Sequence, residues 1–417
     1  MACFAQLLFF SVLITFIAIS DAQEGPFLPD SVVLPVRKDV STNQYVAKIF
    51  MGNEELVPTK LVVDLAGSFS WMSSSTSSSP SPKKPFSCCS LQCSMAKSSS
   101  CADNESCTLQ AENPITKMVK FGELTEDMVS VHVNDGIKIG SLALIPHFLM
   151  SSAPALLLRG LGNGVKGMLG LGNSRISLPS QVAETFGFQR KFSMCLSSSN
   201  GVVVIGESTY LSPPNSDVAK SLMYTPLVVS ESKKPNGYHF QVKSIRINGK
   251  KLAIKEDLLV RATQISTTVP YSTMESTLYS AFTEAYVSSA IAMNMNMVSP
   301  VAPFEFCFGS EWLETKRVGP NVPVVDLVLQ SEMVKWRIHG RDSMVFVSDK
   351  VMCLGFLDGG LNPKASIVLG GYQLEDKLLE FNLATSMLGF SSSSLSNVEN
   401  RSCSDFNVLK IPQKANS

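Results

Sequence analysis

The sequence predicts an all-β fold built as two lobes, and three observations carry that prediction. Short runs of β-formers recur along the chain, separated by turn residues at short intervals, with only brief helical candidates between them. The 417 residues, 45% of them hydrophobic, suffice for two sizeable cores and are too many for one ordinary domain. The second half also repeats the plan of the first. Each half brings an apolar strand to a tight small-residue turn and later supplies an apolar strand that ends in glycine.

In chain order, the first feature is an apolar run from Leu7 to Ile19 followed by small residues suited to cleavage near Ser20 or Ala22. That layout predicts a secretory leader over residues 1–22 and is too short for a membrane span. Ser141 to Leu161 is the nearest later approach to a span, and Pro146, His147 and Pro154 interrupt it. Strands are expected at Gln44–Met51 and Leu56–Val63, the second delivering Asp64 to the turn Leu65-Ala66-Gly67. The serine- and proline-rich stretch from Ser73 to Pro85 has nothing to bury and leads into a cysteine-rich segment. Further strands are expected at Asp127–Val133, Ile137–Leu144 and Val202–Ile205. A polar, proline-bearing connection from Tyr210 to Ser216 then marks the division into an N-terminal lobe, 23–216, and a C-terminal lobe, 217–417.

In the second half, Tyr238–Ile247 and Leu252–Ile254 flank the hairpin signal Asn248-Gly249. A strand reaches Ile265, the turn at Ser266 follows, and Thr273–Tyr286 has helical spacing with Met274, Leu278, Phe282 and Tyr286 on one face. The two glycine-bearing strands are Val165–Gly172 and Ser366–Gly371, where the backbone must pass close to another segment. Gly162, Gly164 and Gly167 match a dinucleotide fingerprint by spacing alone, with no βαβ unit around them. No cofactor is expected.

Charge and cysteine usage bound the function. Acidic and basic residues balance at 35 each, so the total charge points neither to nucleic acid nor to an anionic membrane, and a charge-driven partner would have to be met by a local patch. Removal of the leader takes Cys3 and leaves nine cysteines: Cys88, Cys89, Cys93, Cys101, Cys107, Cys195, Cys307, Cys353 and Cys403. Export makes disulfides their default state, and the odd count leaves at least one thiol unpaired or paired to another chain. No histidine lies near the Cys88–Cys107 segment and its spacings are not those of a zinc site, so no metal is expected. Asn104 and Asn400 head glycosylation sequons. His132, His147, His239 and His339 sit in no catalytic signature, and no G-x-S-x-G occurs.

The stretch Val62 to Met72, V-V-D-L-A-G-S-F-S-W-M, resembles the first active-site loop of pepsin-like aspartic proteases, and more closely that of a plant branch containing basic 7S globulins, extracellular dermal glycoproteins and xylanase inhibitors. Gly122 to Asp127 (G-E-L-T-E-D), Phe192 to Leu196 (F-S-M-C-L), Ile265 to Tyr271 (I-S-T-T-V-P-Y), Val318 to Gln330 and Gly370 to Asp376 are similar to further landmarks of that branch and span nearly the whole mature chain. The resemblance implies a bilobal pepsin-like fold with a central cleft. It also implies disulfides Cys195–Cys403 and Cys307–Cys353. Cys89, Cys93, Cys101 and Cys107 are expected among the bridged residues of the first lobe, although the sequence does not say which of its five cysteines is left over.

By the same resemblance the chain should not be a protease. Active members use two carboxylates that share a proton, and here Ser266 stands where the partner of Asp64 belongs. The flap segment Pro114–Gly122 has no tyrosine. Asp64 is expected instead to accept hydrogen bonds from its own loop and from Ser266. The relatives imply a microbial glycoside hydrolase as protein partner, its acidic cleft met by Arg317 and Arg401 with Lys316 beside the first. The segment Ser391–Ser404 has no histidine of the kind used against xylanases, so a xyloglucan-degrading enzyme is the expected target. A storage protein that binds small peptides, or a residual aspartic endopeptidase, are the alternatives. Secretion to the plant extracellular space follows from the leader and the resemblance.

Overall fold

The computed structural model describes residues 29–52, 55–74, 85–98, 106–134, 139–207, 222–228, 237–311, 314–316, 318–391 and 403. The leader, the division at residues 216–217, Cys101, Asn104, Arg317, Asn400 and Arg401 lie outside the described residues.

One thirteen-stranded sheet carries both halves of the molecule. Its N-terminal part is built from Ser31–Asp39, Gln44–Met51, Val57–Asp64 and the long pair Met118–Asn134 and Ile139–Ala153. Its far edge is C-terminal: Leu378–Asn382 pairs antiparallel with Lys191–Cys195, and Met387–Ser391 and Leu222–Pro226 follow. Phe192 stacks on Phe381 at 4.7 Å and Tyr238 leans on the same ring at 4.5 Å, so apolar packing continues across the junction. The rest of the second half forms smaller sheets around the helix Ser276–Ala292, which buries Leu278, Phe282 and Tyr286.

The two halves share one local topology. Val57–Asp64 runs parallel to Val165–Gly170, which runs antiparallel to Trp71–Ser73. In the second half Thr263–Ile265 runs parallel to Ile367–Leu369, which runs antiparallel to Ser272–Met274. Each glycine-bearing strand is thus inserted between the two arms of a turn. A Cβ at Gly170 would lie 2.4 Å from the Phe69 carbonyl oxygen, and one at Gly370 2.4 Å from the Tyr271 carbonyl carbon, so only glycine lets the strands approach this closely.

Several elements differ from their sequence expectation. The strands expected to end at Val133 and Leu144 form a seventeen-residue and a fifteen-residue pair, bent by register shifts, one between Asp127 and Val129. Pro146 faces that shift and is exposed, where its missing N–H costs no ladder bond. Tyr238–Ile247 is two strands, Tyr238–Phe240 and Ser244–Ile247, in different sheets. The Asn248-Gly249 hairpin forms with positive φ at both residues, yet its return is Lys250–Lys251 rather than Leu252–Ile254. The helix begins at Ser276, because the Glu275 carboxylate caps the N–H groups of Thr277 and Leu278 and Met274 belongs to the preceding strand.

Disulfides join Cys195 to Cys403, Cys307 to Cys353 and Cys93 to Cys107. Cys89, expected to be bridged, is instead a free and exposed thiol, and Cys88 is disulfide-bonded. The pairing of Ser87 with Ser106 carries Cys88 in against the Ser106 carbonyl, at 3.3 Å, while the next residue turns outward. Elsewhere, Lys377 is fully buried and donates to the Asp342 carboxylate at 2.9 Å. Substituting Asp342→Ala strands that ammonium and is expected to cost about 3–5 kcal/mol in denaturant unfolding. A thiol-specific reagent is expected to label the native protein at Cys89, and Cys89→Ser to remove that label.

Candidate functional site

Val57–Asp64 is buried at its last four residues, and it releases Asp64 into the turn with its side chain 7% exposed. The Ala66 N–H donates to Asp64 Oδ1 at 2.9 Å, and the Gly67 N–H closes the turn on the Asp64 carbonyl at 3.2 Å. Burial pushes the carboxyl up to about 6; the Ala66 N–H pulls it back, and the charge of Glu112 pushes it further up. This is a carboxyl group with local donors and, among the described residues, no ion-pair partner.

The opposing turn comes from the second half. The Ser266 N–H is held by the Leu369 carbonyl at 2.9 Å. Its hydroxyl accepts from the Thr268 and Val269 N–H groups, both at 3.3 Å, and lies 3.2 Å from Thr268 Oγ1. Ser266 makes no hydrogen bond to Asp64, contrary to expectation, because its own turn uses the hydroxyl. The crossing bonds come from Thr267 instead: its hydroxyl donates to the Val63 carbonyl at 2.6 Å and accepts from the Leu65 N–H at 3.3 Å. Leu65 is fully buried and has no hydroxyl to return the contact, so the clasp is one-sided.

Three further groups fix the halves together near this point. Tyr238 donates to the Leu171 carbonyl at 2.6 Å. Tyr45 donates to the Gly371 carbonyl at 3.0 Å and the Glu375 carboxylate at 2.7 Å, and Lys38 reaches the same carboxylate at 2.7 Å. Burial raises the Glu375 carboxyl, and the Lys38 ammonium offsets part of that.

Near the Asp64 turn, the hairpin formed by Thr108–Asn113 and Met118–Asn134 is pinned at its turn end. Trp71 Nε1 donates to the Glu112 carbonyl at 3.0 Å, and Asn113 Nδ2 donates to the carbonyls of Leu157 and Arg159 at 2.7 and 2.9 Å. Asn113 Oδ1 accepts from the Ile115 N–H at 3.0 Å, and so fixes the tip. The sequence reading missed Asn113 and Thr267, since one polar residue in a strand or turn carries no pattern that separates it from its neighbours.

Of the residues expected to contact a partner, Lys316 is described. It sits in the hairpin Thr315–Lys316 / Gly319–Pro320, where its ammonium lies 3.2 Å from Asn321 Oδ1 and 3.9 Å from the Glu314 carboxylate. The hairpin is anchored by the Arg341 N–H, which donates to the Val318 carbonyl at 3.1 Å. Among the described residues no group of three His, Cys, Asp or Glu side chains could hold a metal ion.

Two lobes of one topology, meeting where two turns face each other, define a pepsin-like protein with an acid on one turn and a hydroxyl on the other. Sequence comparison extends this: residues 45–207 match the xylanase inhibitor N-terminal family and residues 237–392 the xylanase inhibitor C-terminal family. The chain belongs to this pepsin-like xylanase-inhibitor and basic 7S globulin family. A protein of Nicotiana benthamiana named probable aspartic proteinase GIP2 is 42% identical, the match covering 98% of this chain and 99% of that one. The crystal structure of edgp superposes with a TM-score of 0.85 at 43% identity, covering 91% of this chain and 98% of that one. Soybean basic 7S globulin gives 0.77 at 35% identity, with 90% and 98% covered.

The Asp64 carboxyl, raised from 3.8, keeps a proton in the folded state that the unfolded chain releases. Stability contributed by this group is therefore full below about pH 4 and is lost as pH rises to about 6. Asp64→Asn is expected to be more stable than the parent at pH 7, by up to about 3 kcal/mol, and near parity at pH 4, in unfolding titrations at the two values.

Proposed function

We propose that the protein is a secreted, non-catalytic member of this family that inhibits a microbial cell-wall glycoside hydrolase, a xyloglucan-degrading endoglucanase ahead of a xylanase. One observation carries the non-catalytic part: the turn opposite Asp64 offers the Ser266 hydroxyl, tied within that turn, and not a second carboxyl to share its proton. Peptide hydrolysis by this fold requires a base to activate water and an acid for the leaving group, and one carboxyl cannot be both at once. The pinned hairpin favours the same reading, since Trp71 and Asn113 hold the tip in place rather than leaving it to close over a substrate.

The inhibitory part rests on the match of both halves to inhibitor families and on the chemistry of the target. A glycosidase cleft presents paired carboxyl groups, to which a guanidinium can bond bidentately. Arg317 and Arg401 are the proposed contacts. Lys316 is secondary, because Asn321 and Glu314 already engage its ammonium. Disulfides such as Cys195–Cys403 suit an oxidising compartment, and the plant extracellular space is the proposed location. Likeness to soybean basic 7S globulin supports a second reading, storage or peptide binding without an enzyme target.

The test is residual activity of fungal xyloglucan- and xylan-degrading hydrolases titrated with the purified protein. Saturable one-to-one inhibition of a xyloglucan-degrading enzyme is expected, weakened about tenfold or more by Arg317→Ala or Arg401→Ala. Absence of inhibition at micromolar protein would favour the storage reading. Pepstatin-sensitive peptide cleavage lost in Asp64→Asn would overturn both.

A further inference from the structure

Several basic side chains on the described strands have an acidic partner. Lys38 meets Glu375, Lys191 meets Glu380, Arg246 meets Glu332 and Arg337 meets Asp326. On the outer surface of the N-terminal sheet three lysines stand side by side instead. Lys48 and Lys60 are directly opposite each other on neighbouring antiparallel strands, and both are exposed. On the next strand the register shifts between Lys60 and Leu61, whose partners are Val165 and Gly167, and the extra residue there is Lys166, also exposed. None of the three has a hydrogen bond or ion pair to another described residue.

Like charges directly opposite on a sheet destabilise it, and in a chain with as many acids as bases an acid opposite either lysine would have removed that cost. Lys48 is also oriented: its ammonium stands 5.1 Å over the Phe50 ring, which is set edge-on against His132 at 5.4 Å. Adjacent strands lie about 4.8 Å apart, so the three ammonium-bearing positions form a row about 10 Å long across the sheet. A row of this kind has no converging backbone N–H groups to hold one compact anion. It matches a linear partner that repeats its negative charge.

We propose that Lys48, Lys60 and Lys166 form a binding surface for an acidic polysaccharide, a chain bearing one carboxylate per sugar. The three ammonium groups answer successive carboxylates along the polymer, and the Phe50 ring lies beneath that of Lys48. The surface is separate from the Asp64 turn and from the Thr315–Pro320 hairpin, so the inference stands apart from the inhibitor reading.

The experiment measures binding of the intact protein to immobilised polygalacturonate at low salt, beside the fully methyl-esterified polymer and phosphatidylserine vesicles. Binding to polygalacturonate is expected, with loss on methyl esterification and a steep fall as salt screens the charges. Lys60→Glu is expected to weaken binding about tenfold while holding or raising the melting temperature, because it sets an acid opposite Lys48. Lys364→Glu, an exposed charge reversal in the second half, is expected to leave binding unchanged. Failure to bind, equal binding to the esterified polymer, indifference to Lys60→Glu, or a preference for the vesicles would each overturn the proposal.

Discussion

The geometry of the site depends on one side chain, Thr267. Its hydroxyl spans the junction between the halves, taking the Leu65 N–H and giving its proton to the Val63 carbonyl, two backbone groups that flank Asp64. Buried backbone groups at a turn must find partners, and here the opposite half of the chain supplies them. The two turns are therefore held at hydrogen-bonding distance whatever chemistry their side chains perform. Leu65 makes the arrangement unequal: the first turn contributes apolar volume where the second contributes a hydroxyl.

That inequality clarifies the state of Asp64. A buried carboxyl needs either a partner that favours its charge or a proton. Two N–H groups of its own turn help the charged form, burial works against it, and the result is a group poised near pH 6. Ser266 does not alter this balance, since its hydroxyl serves Thr268 and Val269. The fold keeps the architecture that would bring two acids together and occupies it with one acid and a turn-capping hydroxyl.

Rigidity extends outward from the junction through charged and aromatic contacts. Tyr45 and Lys38 converge on Glu375, the ammonium lies over the Tyr45 and Tyr372 rings, and Tyr372 donates to carbonyls of Arg341 and Met344. The segment Gly340–Ser343 is in turn backed by the buried Lys377–Asp342 pair and holds the Thr315–Pro320 hairpin through Val318.

The sequence by itself determined the all-β class, the existence of two related halves and the position of both turns, because strand periodicity, glycine at strand ends and a lone acid at a small-residue turn are local patterns. The resemblance of Val62–Met72 and Ile265–Tyr271 to known loops extended that to the family. Tertiary structure decided what local pattern leaves open. It divided Tyr238–Ile247 between two sheets, left Cys89 a free thiol among the described cysteines, and engaged the Ser266 hydroxyl within its own turn. It also set Lys48 against Lys60 and left both without an acid among the described residues. Each of these outcomes is a contact between residues far apart in the chain or a choice between neighbours, and a local pattern encodes neither.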